Sequence, residues 1–164
     1  MTRAKNAVPE GLHSVTPQLI FDDTAQAIDW YKKNLGAKEI SRSTSPDGRQ
    51  IMHAAMQIGN SRIYMNDAMG GGKSARGMGA LPMTLWIYTD DCDSLFNRAT
   101  ADGAKVDGPM GQLADQFWGD RTGSFTDPFG YRWCVATHKE DLTEEEMQRR
   151  AAEFFKNQAQ PAQA

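Results

Sequence analysis

The sequence predicts an α+β fold: two tandem βαβββ modules forming a curved mixed sheet around a cleft, plus a C-terminal helix. Three observations carry this. A helix start and a helix stop both recur at one offset: Asp23 with Asp90 as caps, and Gly36 with Gly103 as stops, each pair 67 residues apart. The stretch Asp127-Pro128-Phe129-Gly130 reads as a tight turn, with Pro presetting φ and Gly closing it, between the strands of a late hairpin. Beyond that hairpin, Met147, Ala151 and Phe154 fall on one stripe of a helix opened by a Thr143/Glu146 capping box.

The elements follow in order. Residues 1–14 are polar and read as a flexible arm. Val15–Asp22 is a strand with Leu19 and Phe21 on one face and Thr16 and Gln18 on the other. Asp23, with Gln26 three residues on, opens a helix carrying Ile28, Tyr31 and Leu35. Strands are expected over 38–44, 49–58 and 62–66, with the turn Ser45-Pro46-Asp47-Gly48 between the first two. In the middle one, Met52, Ala54, Met56 and Ile58 form the apolar face, leaving Ile51, His53, Ala55 and Gln57 for the cleft. The pattern restarts with a strand over 81–89 and a helix containing Leu95 and Ala99. The domain therefore spans 15–138, as modules of about 15–67 and 81–138 joined by a linker at 68–80. A C-terminal helix at 139–157 buries its stripe on its own sheet or on a second subunit, and the Ala/Gln-rich tail 158–164 is too polar to fold.

A length of 164 residues suits one domain or two fused half-domains, and 40% apolar residues suffice for a core. No apolar run approaches the roughly 20 residues of a membrane span, and the N-terminal stretch has no signal-type segment. A net charge of −3 with mixed signs gives no case for nucleic acid. Cys92 and Cys134 are too few for a disulfide framework and fit buried thiols in a cytoplasmic protein.

Ala27-Ile28-Asp29-Trp30-Tyr31, Leu35-Gly36-Ala37 and the late Asp-Pro-Phe-Gly-Tyr, set in paired modules, resemble the glyoxalase/bleomycin-resistance/dioxygenase family, the vicinal oxygen chelate (VOC) superfamily. Met52-His53-Ala54, Phe117-Trp118-Gly119-Asp120-Arg121 and Ala136-Thr137-His138 resemble its PhnB-like branch more narrowly. The resemblance covers about residues 15–138 and implies a homodimer or pseudo-dimer around a ligand cavity. In the family's enzymes, His and Glu from the first and last strands of each module hold a divalent metal. Here those positions fall on Thr16, Tyr64, Thr84 and Cys134, none of them His or Glu. A site needing three or four N/O ligands is then expected to be lost, and no cofactor is implied.

Candidate ligand contacts are Gln18, His53, Tyr64, Trp86, Trp118 and Arg121. His53 is either a hydrogen-bonded structural histidine or an acid–base group. Trp86 and Tyr64 are either aromatic walls for a planar molecule or plain core. Arg121 either grips an anion bidentately or pairs with Asp120 or Asp127. Cys134 as a nucleophile needs a nearby base or cation, so an inert thiol is its alternative. Gly70-Gly71-Gly72-Lys73-Ser74 lacks the earlier glycine of a phosphate loop, because Asp67 stands there, and reads as a flexible linker able to act as a lid. Three functions fit: a metal-free protein that binds a small organic molecule; an enzyme of lyase, isomerase or dioxygenase type working through an unconventional metal site or through His53, Tyr64 and Arg121; or a partner-binding protein with a vestigial cleft.

Overall fold

The computed structural model describes residues 7–79 and 81–158. The first module runs β1 (Gln18–Phe21), α1 (Thr24–Asn34), β2 (Lys38–Thr44), β3 (Ile51–Ile58) and β4 (Ser61–Asp67). Its sheet has the order β1-β4-β3-β2, with β1 parallel to β4 and the other pairs antiparallel. A one-turn helix α2 (Ala75–Met78) follows. The second module runs β5 (Thr84–Tyr88), α3 (Cys92–Ala101), β6 (Lys105–Val106), β7 (Ala114–Asp115), β8 (Asp120–Thr126) and β9 (Arg132–His138), and α4 (Glu144–Gln158) follows it. Its sheet has the order β5-β9-β8-β6, with β7 also pairing with β8. The α+β architecture and the repeated modules are as the sequence predicts. The second module differs in giving its β2 counterpart only two residues, Lys105 and Val106. The flexible-arm assignment for residues 1–6 and the tail from 159 onward lie outside the described residues.

The helix caps show where the repeat drifts. Asp23 accepts from the Gln26 amide at 3.0 Å, as expected. In the second module the cap is Asp91, not Asp90, accepting from the Ser94 amide at 2.9 Å. The stops keep their offset, with Gly36 and Gly103 both at positive φ. The second helix therefore starts one residue late relative to the repeat.

Both helices and the helix-facing sides of both sheets share a single core. Leu19, Phe21, Met56 and Met65 of the first sheet join Phe125, Trp133 and Val135 of the second, all nearly inaccessible to solvent. Tyr31 meets Trp133 edge-on with centroids 5.6 Å apart, and Phe21 meets Phe129 at 5.7 Å. The polar contacts cross too: Trp30 Nε1 donates to the Asp102 carbonyl at 2.8 Å, and Tyr31 Oη donates to Asp127 at 2.7 Å.

One strand face departs from strict alternation. His53 pairs with Ser43 and Ile51 with Thr44, so Met52 is an unpaired bulge residue. The bulge turns Ile51 into the core and leaves Met52 46% exposed, the reverse of the predicted faces. The linker also differs from its sequence reading. Ser74 caps α2 by accepting from the Gly77 amide at 3.0 Å, and Ser74 and Ala75 are buried. Gly130 of the Asp127–Gly130 turn lies against this helix, where a Cβ would come within 2.9 Å of the Arg76 amide nitrogen. The far half of the linker is thus packed in place rather than hinged as a lid.

The C-terminal helix opens as predicted, with the Glu146 amide donating to Thr143 Oγ1 at 3.2 Å. Phe154 rests on Phe117 at 5.2 Å, and Arg150 pairs with Glu140 at 2.8 Å. None of its described side chains is buried.

Candidate functional site

Because the shared core takes the helix-facing sides, the other face of each sheet looks away from it. On the first sheet the parallel register sets Gln18 beside Tyr64. His53 meets Tyr64 with ring centroids 4.7 Å apart, and Gln18 Nε2 donates to Asn66 Oδ1 at 2.7 Å. These three predicted residues do come together.

On the second sheet Trp86 and Tyr88 alternate with core residues and stack at 6.2 Å. They stand 49% and 60% exposed on β5, an edge strand. Beside them Asp120 is buried and accepts from Tyr88 Oη at 3.0 Å, from Trp118 Nε1 at 3.1 Å and from His138 Nδ1 at 2.7 Å. His138 Nε2 reaches Asp141 at 3.0 Å. Hydrogen bonds to Asp120 first, then to Asp141, hold the imidazole's pKa above its ordinary value. Both ring nitrogens face carboxylates, so His138 is a brace and not a free base. Counting outward from the Asp127–Gly130 turn sets Asp120 opposite His138, so this pair was available to sequence reasoning.

Arg121 points to the other side of β8. Its guanidinium grips Asp93 of α3 at 2.6 and 2.7 Å and reaches Asp115 at 3.2 Å. Its carboxylate partners are therefore these two, not Asp120 or Asp127. The bond from Arg121 holds the Asp93 carboxyl below its ordinary range. Cys134 is buried, and burial pushes its thiol pKa up, which opposes nucleophilic use.

The register also shows which residues stand beside Tyr64 and Cys134, two of the expected ligand positions. Tyr64 is paired with Gln18 rather than Thr16, and Cys134 with Trp86 rather than Thr84. An amide, a phenol, an indole and a protonated thiol do not fit a divalent ion, since the indole offers no ligand atom and the others are weak donors. Among the described residues no three His, Cys, Asp or Glu side chains cluster as a metal site.

A cavity of about 580 Å³ opens between the strand edges of the two modules. Leu85, Trp86, Ile87, Tyr88 and Trp133 form one wall, and residues 58–63 with His13, Val15, Thr16 and Pro17 form the other. Of the predicted ligand residues only Trp86 lines it; Gln18, His53 and Tyr64 lie on the outward face of the first sheet. Tyr88 and Arg62 line it as well, and neither is among the residues expected there from the sequence. Tyr88 shares the strand parity of Trp86, whereas nothing local to Arg62 marks it.

The sequence matches the Glyoxalase/Bleomycin resistance protein/Dioxygenase superfamily over residues 11–135. It is 38% identical over 152 residues to the uncharacterized protein Rv0887c of Mycobacterium tuberculosis, covering 90% of this chain and 85% of that one. Among solved structures it resembles TioX from Micromonospora sp. ML1, with a TM-score of 0.59 and 24% identity over 80% of this chain and 100% of that one. A PhnB protein from Bacillus cereus shares the fold with a TM-score of 0.60 and 16% identity, covering 76% of this chain and 99% of that one. No helix among the described residues is long and apolar enough to cross a membrane. With the paired modules, the late Asp-Pro-Phe-Gly turn and the match across most of its length, the chain belongs to the glyoxalase/bleomycin resistance/dioxygenase superfamily.

Proposed function

We propose that the chain is a binding protein that takes a small organic molecule in the groove beside β5, without a divalent metal, and that it acts as a homodimer. The carrying observation is the stacked pair Trp86 and Tyr88, half exposed on an edge strand and facing a cavity of about 580 Å³. Large aromatics on an open edge are a liability unless a ligand or partner covers them. An aromatic wall suits the flat apolar body of a small molecule. The donor set at the family's ligand positions supports metal independence. The outward faces of the two sheets cannot face each other within one chain, and α4 buries none of its described side chains, so a second copy is the natural cover for both.

An enzymatic reading keeps one observation, the edge-to-face packing of His53 on Tyr64 with ring centroids 4.7 Å apart, which places two groups of acid–base type side by side. It loses Arg121, whose guanidinium is already taken by Asp93 and Asp115.

The test is fluorescence titration with the uncharged probe N-phenyl-1-naphthylamine, with and without a chelator. Saturable binding that survives chelation and weakens several-fold in Trp86→Ala is expected, since a stacking wall is worth about 1 kcal/mol. Absence of saturable binding, or a near-stoichiometric divalent ion by elemental analysis, overturns the proposal.

A further inference from the structure

The wall of the groove opposite Trp86 carries a cation with no carboxylate. Arg62 sits near the start of β4, half-buried, and lines the cavity. Arg42, Arg49, Arg121, Arg132, Arg149 and Arg150 each pair with an Asp or Glu. No such pair involves Arg62 among the described residues, and the six N-terminal residues that precede them contain no Asp or Glu. Among the described residues its Nε is buried and has no hydrogen-bond partner.

The guanidinium is also held from behind. The turn that the Leu12 amide closes onto the Pro9 carbonyl brings Gly11 against it. A Cβ at position 11 would lie 2.6 Å from an Arg62 Nη, and Gly11 has φ +75°, so only glycine allows this approach. A guanidinium that lines a cavity without a carboxylate partner leaves its terminal N–H donors for an anion in the groove. His13 adds a ring nitrogen at the same wall. Across the groove Leu85, Ile87 and Trp133 offer only apolar surface apart from the indole N–H, which is already donated to Asp127.

From this we infer that the groove binds an amphipathic organic anion, with a flat apolar body against Trp86 and a carboxylate or sulfonate on the Arg62 fork. Two oxygens of such a group match two parallel N–H donors, as a neutral ligand cannot. The inference rests on the reading of this groove as the binding site, and it adds the charge that reading leaves open.

The test compares two probes of similar ring system: 8-anilinonaphthalene-1-sulfonate, an anion, and uncharged N-phenyl-1-naphthylamine. Arg62→Gln should weaken the anion about tenfold, the scale of one lost charge-assisted pair, and leave the neutral probe within about twofold. Gly11→Ala, which displaces the guanidinium without removing it, should weaken the anion in the same sense. Raising the salt concentration on the unmodified protein should weaken the anion and spare the neutral probe, which covers the case of a variant that fails to fold. Equal changes for both probes, or no change for either, overturn the inference while the groove remains a binding site. Failure of the neutral probe to bind the unmodified protein overturns the site itself.

Discussion

Asp67 closes the last strand of the first module, Asp127 opens the turn before the last strand of the second, and both carboxylates are buried. Asp67 accepts from the Thr24 and Ile51 amides, both at 2.7 Å, and so ties three elements of its own module together. Asp127 accepts from the Phe129 and Tyr131 amides within its turn, from Trp133 Nε1 at 2.9 Å and from Tyr31 Oη of the other module at 2.7 Å. Burial dominates its surroundings and pushes its pKa above the ordinary carboxylate range despite four donors. The first module's carboxylate organises a module; the second's joins two. A duplicated plan has been kept in topology and divided in duty.

The sharpest test of that division is Asp127→Ala set against Asp67→Ala. Losing Asp127 leaves two side-chain donors and two amides without their acceptor, so a loss of about 3–5 kcal/mol is expected in urea unfolding. Asp67→Ala leaves two amides and should cost about 2–3 kcal/mol. An equal or reversed pair of values would break the comparison. A smaller effect is expected at β5, where Leu85 packs partly against the core and Trp86 does not. Leu85→Ala should cost about 2 kcal/mol, at the low end for a buried leucine, whereas Trp86→Ala should lose ligand and little stability. If Trp86→Ala is the more destabilising, the face assignment of β5 fails.

Smaller again is the effect of pH on the Asp120 hub, which has no counterpart in the first module. The folded state raises the His138 pKa, so its contribution is fully present below the unfolded value of about 6.5 and is lost as pH rises through the folded value. The gap in thermal midpoint between the unmodified protein and His138→Gln should therefore close on going from pH 6 to more alkaline conditions. A gap independent of pH would mean that His138 acts by packing alone. The smallest change in stability should follow truncation after Asp141, because α4 buries none of its described side chains. Sedimentation should nonetheless show loss of the dimer, and an unchanged dimer would exclude α4 from the interface.

Much of the fold was legible because its signals are local. Asp23, Gly36, Gly103 and the Asp127–Gly130 turn each act within a few residues, and the boundaries they set hold within one to three positions. Parity served on β1, β4 and β5, and it failed on β3 because a bulge depends on a partner strand that Met52 does not reveal. Cap choice failed between Asp90 and Asp91, adjacent residues of one chemical type, where the drift of the repeat decides. The groove was least legible. Arg62 gains its meaning from Gly11, far away in sequence, and from the absence of a carboxylate, and neither leaves a periodic trace. The ion pair of Arg121 was expected with Asp120 or Asp127, its sequence neighbours, because Asp93 lies on another element.

The seating of α2 against Gly130 of the second module and against β1 of the first gives the tether an asymmetry: beyond the glycines at 70–72 the linker is packed between both modules. A chain cut at Gly71 would leave α2 on the second fragment, with its contact to β1 reaching across to the first. Each fragment alone would bare the aromatic face that Tyr31 and Phe21 share with Trp133 and Phe129. Mixed together, fragments 1–71 and 72–164 have reason to reassociate. The join can then be moved as well as cut, and the protein becomes a split reporter whose two pieces find each other through a seam that the original duplication left behind.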